Sequence, residues 1–176
     1  DTQDAKRLFD VDFFGMVNVN RAVLPHMHIA GSGRIINIGS VAGAIPIPFQ
    51  AYYSAAKAAV ASYTLALANE VRPYGISVCA LMPGDIKTGF TATRQKSCLG
   101  DELYGGRISR SVNKMEKDEQ NGMSPDTAGN YLAALAKKKS VKPLYALGFT
   151  YKLFVILSRI LPVRLLNKLV YIIYAS

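Results

Sequence analysis

Ser40, Tyr53 and Lys57 are the side chains of this sequence whose types and spacing suit a chemical task. Tyr53 and Lys57 lie four residues apart, so on one helix they share a face, one turn from each other. Ser40 follows a short apolar run, where a hydroxyl would stand just past the C-terminal end of a strand. The chemistry such a trio suits is proton transfer to or from a carbinol oxygen. A tyrosine at its reference pKa of about 10 is a poor base at neutral pH. A neighbouring ammonium favours the phenolate, which brings a phenol within reach of general acid–base work. A serine hydroxyl beside it can donate to the substrate oxygen, where charge develops in the transition state. The plainer alternative is a surface tyrosine and lysine on an alanine-rich helix. No other tyrosine in the chain has a lysine four residues on.

The elements that must position this trio are legible in outline. Residues 33–40 read as a strand, with the β-branched run Ile35-Ile36-Asn37-Ile38 and a break at Gly39-Ser40. Ile45-Pro46-Ile47-Pro48 is excluded from a helix interior and reads as a loop beside the site. Residues 50–71, rich in alanine, predict the helix bearing Tyr53 and Lys57; Arg72-Pro73-Tyr74-Gly75 ends it. A second strand over 76–82 completes a parallel βαβ unit. Pro83-Gly84 follows at once, at the carboxyl end where α/β sheets place ligands. Upstream, residues 4–29 predict one long helix with an apolar side, and Pro25 marks a bend or the last turn. Downstream, residues 89–122 are polar and show no clear regular structure. Phe90, Leu99, Leu103, Tyr104 and Met115 either line an apolar pocket or pack a short helix. Ser124-Pro125-Asp126 is a helix start, that helix runs to Lys137-Lys138-Lys139, and residues 144–147 form a last strand.

Ser40, then Tyr53-Ser54-Ala55-Ala56-Lys57, then Pro83-Gly84-Asp85-Ile86-Lys87-Thr88, in that order and spacing, resemble the second half of a short-chain dehydrogenase/reductase. The resemblance runs from about Phe9 to about Gly148. It implies an α/β fold, part of a Rossmann-like doubly wound parallel sheet with flanking helices. It implies hydride transfer between NAD or NADP, with NADP ahead, and a secondary alcohol or ketone. By resemblance, Tyr53 is the acid/base, Ser40 steadies the substrate oxygen, and Lys57 activates the tyrosine and anchors ribose. The Pro83-Gly84 turn, the Ile86 backbone and the Thr88 hydroxyl hold the nicotinamide end. The family's asparagine, in a pattern like Phe-x-x-Asn-x-x-x-Gly, helps hold a water in a proton relay from the lysine. The matching position here is Asp12, which can accept hydrogen bonds but brings a negative charge and no amide donor. Relatives pair their long helices across subunit interfaces, so a homodimer or tetramer is expected.

The 176 residues suit one core, and a hydrophobic share of 50% argues against disorder. Residues 1–150 read as the oxidoreductase portion and 151–176 as a separate helical tail. Cys79 and Cys98 form neither a close pair nor a metal-ligand spacing, and His26 and His28 have no ligand pattern around them, so a reduced cytoplasmic protein without a metal site is expected. No Gly-x-Gly-x-x-Gly turn occurs and the sequence starts at Asp1 without a methionine; the reading is of a piece of a longer protein whose dinucleotide-binding half lies upstream. The formal charge is +9, yet residues 127–176 hold eight Lys or Arg and no acid. That asymmetry speaks about partners rather than fold; no nucleic acid is implied.

Within residues 151–176, Pro162 divides two apolar helices. In the second, Arg164, Asn167, Lys168 and Tyr171 form one polar stripe and apolar residues cover the rest. No uncharged run approaches the roughly 20 residues of a membrane span. The tail is then a cap closing the substrate pocket, a peripheral membrane contact, or an oligomer interface. An apolar substrate (lipid, steroid or long-chain acyl) suits the first two, and a 3-oxoacyl reductase is the near alternative. The rival from another class is a non-catalytic, membrane-associated or oligomerising fragment.

Overall fold

The computed structural model describes residues 1–89 and 99–176; Phe90 and Cys98 lie outside them. The α/β architecture expected from the sequence is present. Three strands, β1 (Gly33–Ile38), β2 (Ile76–Pro83) and β3 (Leu144–Leu147), pair in parallel in the order β1-β2-β3. Helix α1 (Thr2–Phe9), a π turn (Asp10–Phe14) and α2 (Gly15–Ala30) form one continuous helical path where the sequence predicts a single helix. Pro25 sits inside α2, which continues to a left-handed Gly31. Helix α3 (Ala51–Glu70) crosses over from β1 to β2, α4 is Arg107–Gln120, and α5 is Pro125–Ala136. The tail is α6 (Phe149–Ile160) and α7 (Val163–Tyr174), divided at Pro162 as its rigid ring dictates.

Strand alternation sorts the core into two layers. Ile35, Ile76 and Val78 face α2 and α3, packing with Leu67, Val71, Val23 and Met27. Ile36, Cys79 and Leu81 face the other way, onto Leu135, Leu132 and Tyr131 of α5. Burial pushes the Cys79 thiol up, as suits a core residue and not a reactive one. A third cluster gathers at the carboxyl ends of the strands, where Val155 of α6 meets Met82 and Val41. The tail is thereby joined to the body at the ligand end of the sheet.

Residues 107–120, within the stretch that shows no clear regular structure in sequence, are a helix. Leu99 and Leu103 are exposed, whereas Met115 is buried in the packing of α4. Ser124 caps α5 by accepting from the Thr127 N–H, as its sequence predicts. The other end of α5 is held from a distance: Arg34 of β1 donates to the Ala136 carbonyl at 2.8 Å and also to that of Lys138.

Candidate active site

The carboxyl end of β1 delivers Ser40. Its backbone is extended, and its Oγ accepts from the Ala42 N–H at 3.1 Å, capping the turn Val41–Gly43. Accepting that bond leaves the hydroxyl proton available for donation elsewhere. The turn lies directly on α3: a Cβ on Gly43 would come within 2.6 Å of the Lys57 carbonyl. Only glycine permits that approach, and it sets the Ser40 turn beside the helical turn of Lys57. A few residues on, the Ile47 N–H donates to Ser54 Oγ at 3.1 Å, pinning the proline loop to the start of α3.

On α3, Tyr53 and Lys57 share a half-buried face, with Lys57 Nζ 5.6 Å from the centre of the Tyr53 ring. From the opposite side Asp12 meets the same ammonium, its Oδ1 accepting from Nζ at 3.1 Å. Their side chains are 26% and 11% exposed, so the pair is sheltered rather than a loose surface contact. Asp12 belongs to the π turn, whose extra residue per turn rotates the helix locally, a device frequent at functional sites. Tyr53, Lys57 and Asp12 thus meet from α3 and the π turn, and the turn that Ser40 caps packs on α3 at Lys57.

The Pro83–Thr88 segment leaves β2 at the same end of the sheet. The Met123 N–H donates to the Asp85 carbonyl at 3.1 Å, and the Lys87 N–H donates to the Met123 carbonyl at 2.9 Å. Because an extended chain alternates, these bonds turn the N–H and C=O of Ile86 to the other side. They form a donor–acceptor pair suited to a carboxamide, so the residues present fit the nicotinamide end of a dinucleotide. Thr88 is exposed, in the last described turn before residue 90.

One partner of this segment carries no local signal in the sequence. Tyr151, in the first turn of α6, donates its hydroxyl to Asp85, and its ring fills the space a Cβ on Gly84 would need. Burial is the main reason the Asp85 carboxyl is raised above the ordinary value, and the Tyr151 hydrogen bond opposes that shift. Burial, and then the hydrogen bond to Asp85, raise the Tyr151 phenol. Asp85 stands openly in the Pro-Gly-Asp run, but its partner is 66 residues away and no local pattern links them.

Along the outer edge of β1 runs a groove of about 490 Å³, with Asp12, Met16, Asn20, Ile36 and Lys57 among its lining.

Comparison with known proteins shows what the chain is similar to. A family model described as short chain dehydrogenase matches residues 1–98. A 3-ketodihydrosphingosine reductase of Bacteroides thetaiotaomicron is 42% identical over 140 residues, which cover 78% of this chain and 52% of that protein. Among solved structures, a short-chain dehydrogenase from Streptomyces avermitilis superposes with a TM-score of 0.72 at 25% identity, covering 89% of this chain and 57% of that one. A 3-oxoacyl-[acyl-carrier protein] reductase from Brucella melitensis with bound NAD reaches 0.62 at 26% identity, covering 84% and 51%. The chain spans about half the length of these curated relatives.

Proposed function

The chain belongs to the short-chain dehydrogenase/reductase family, and from that premise we propose that it carries the proton-transfer half of an oxidoreductase interconverting a secondary alcohol and a ketone. The observation that supports the reading is the Tyr53–Lys57 face with the Asp12 carboxylate on its ammonium, and the Ser40 turn packed on the same helix at Lys57. Tyr53 would give a proton to the carbonyl oxygen in reduction and take it back in oxidation. Ser40 would donate its hydroxyl proton to the same oxygen as negative charge gathers there. Lys57 would favour the phenolate through its charge and bind ribose hydroxyls with the protons Asp12 does not use. Asp12 would hold the ammonium in place and accept from a water in the family's asparagine position.

The Ile86 backbone, with Pro83, Gly84 and Thr88 around it, would hold the nicotinamide of NAD or NADP. Bound there, the dinucleotide supplies or accepts the hydride. The dinucleotide-binding half would extend the sheet at the open edge of β1, where the groove reaches from α2 to Lys57. The name of the Bacteroides relative, a 3-ketodihydrosphingosine reductase, supports an apolar, lipid-like ketone as substrate; a 3-oxoacyl substrate is the near alternative. A homodimer or tetramer belongs to the same reading.

Tyr53→Phe in the full-length protein removes the proton and keeps the ring. Carbonyl reduction, followed as dinucleotide absorbance, should fall by about 10²–10⁴-fold. Dinucleotide affinity measured by calorimetry should stay within a few-fold. Undiminished turnover would remove Tyr53 from its role.

A further inference from the structure

The two tail helices turn apolar stripes away from the body. On α6, Phe149, Leu153, Ile156 and Ile160 recur at helical spacing and are all exposed, opposite the buried Val155. On α7, Leu165, Leu169, Ile172 and Ile173 form a second exposed stripe beside the face that buries Val170. Phe149, 86% exposed, and Ile160, 71% exposed, stand out almost fully into solvent. Soluble surfaces rarely carry apolar stripes of this extent. A helix that only capped a pocket would turn its apolar side inward.

Each stripe is flanked by two exposed cations, Lys152 and Arg159 on α6, Arg164 and Lys168 on α7. No Asp or Glu occurs from Thr127 to Ser176. Among the described residues no helix is long and apolar enough to cross a membrane.

We propose that α6 and α7 form a docking surface for an anionic lipid membrane, lying in its interface with the stripes among the acyl chains and the four cations at the phosphates. Short amphipathic helices with cations beside the apolar face bind bilayers in this way. Charge favours an anionic surface over a second copy of the chain as the occupant: a symmetric pairing would bring the cations beside these stripes together, and neither tail helix carries an acid of its own. Position decides against upstream strands, which would extend the sheet at β1, whereas α6 packs on β3 at the far side of the sheet. None of the stripe residues or the four cations belongs to the Ser40–Tyr53–Lys57 set, so the surface stands whether or not the catalytic reading does.

Co-sedimentation of the full chain with vesicles tests the proposal. The chain should pellet with phosphatidylcholine–phosphatidylglycerol vesicles, less so as salt rises, and weakly with phosphatidylcholine alone. Lys152→Gln and Lys168→Gln should each weaken partition about fivefold, the equivalent of ~1 kcal/mol per cation at an anionic surface. Ile160→Asn and Ile172→Asn, at exposed positions that leave the core intact, should weaken it further with unchanged circular dichroism. The proposal is overturned if no vesicle pellets the chain, or if pelleting ignores both lipid charge and the lysine substitutions. It is overturned equally if sedimentation velocity shows a dimer that Ile160→Asn dissociates while vesicle binding is absent.

Discussion

Lys57 Nζ has three protons, and Asp12 Oδ1 takes one of them at 3.1 Å. Where the family pattern carries a neutral amide, this chain closes an ion pair, so the lysine is held by a charge as well as by a hydrogen bond. Asp85 presents the opposite situation, a carboxyl whose burial outweighs its hydrogen bond from Tyr151. A carboxyl raised on folding binds more protons in the folded than in the unfolded chain, so stability falls as pH rises through the window between its ordinary and raised values. That penalty is absent below about pH 4 and grows as pH rises toward the raised value. Asp85→Asn keeps an acceptor for Tyr151 and cannot ionise. The midpoint of thermal unfolding of the variant relative to the parent should therefore be higher at pH 7 than at pH 4. An equal difference at both values would mean that the buried charge is not the source.

Among elements, the junction of β2 with the start of α6 is closely packed. The Tyr151 ring lies over Gly84, and Gly148, in a conformation favouring glycine (φ 96°), lets the chain turn into α6. Gly84→Ala forces the ring or the loop to move, and overpacking of this kind costs about 1–3 kcal/mol. In a Tyr151→Ala background the same substitution should cost little, because the obstructing ring is gone. Chemical denaturation of the four proteins of this cycle measures the coupling; additive losses would show that Tyr151 is not what Gly84 accommodates. Helix α4 shows how an element escapes sequence reading. Its buried side chains are Ser111 and Met115, and the N–H groups of Ile108 and Ser109 near its start are bound by Asp101, from outside the helix. Ile108, Val112 and Met115 give it a thin apolar side among many charges, and with its cap outside the helix no local start signal marks it.

Across the whole molecule, a buried polar chain ties both long helical elements to the sheet. Asn20 of α2 donates to Asn37 Oδ1 at 3.1 Å, Asn37 Nδ2 donates to Thr64 Oγ1 at 3.0 Å, and Thr64 donates to the Val60 carbonyl at 2.7 Å. All three side chains are buried. Asn37→Ala would strand the amide of Asn20 away from water, at a cost of about 2–3 kcal/mol. Thermal unfolding should shift down by several degrees; an unchanged midpoint would mean that the network contributes nothing to holding α2 on the sheet. The same helices carry Asp12 and Lys57, so the network that steadies the fold also steadies the site.

Much of this protein is written locally. The β-branched run of β1, the alanine-rich α3 with Tyr53 and Lys57 one turn apart, the Ser124 cap and the break at Pro162 each rest on interactions within a few residues, and the sequence alone determines them. The family pattern extends that reach to Asp12, whose pairing with Lys57 spans 45 residues. Tertiary structure alone decided the rest: the π turn that rotates Asp12 inward, the Tyr151–Asp85 contact over Gly84, the Asn20–Asn37–Thr64 chain and the outward facing of the tail's apolar stripes. The physical reason is common to all four. Each depends on which face of one element meets another, and periodicity states that a face exists without stating what covers it.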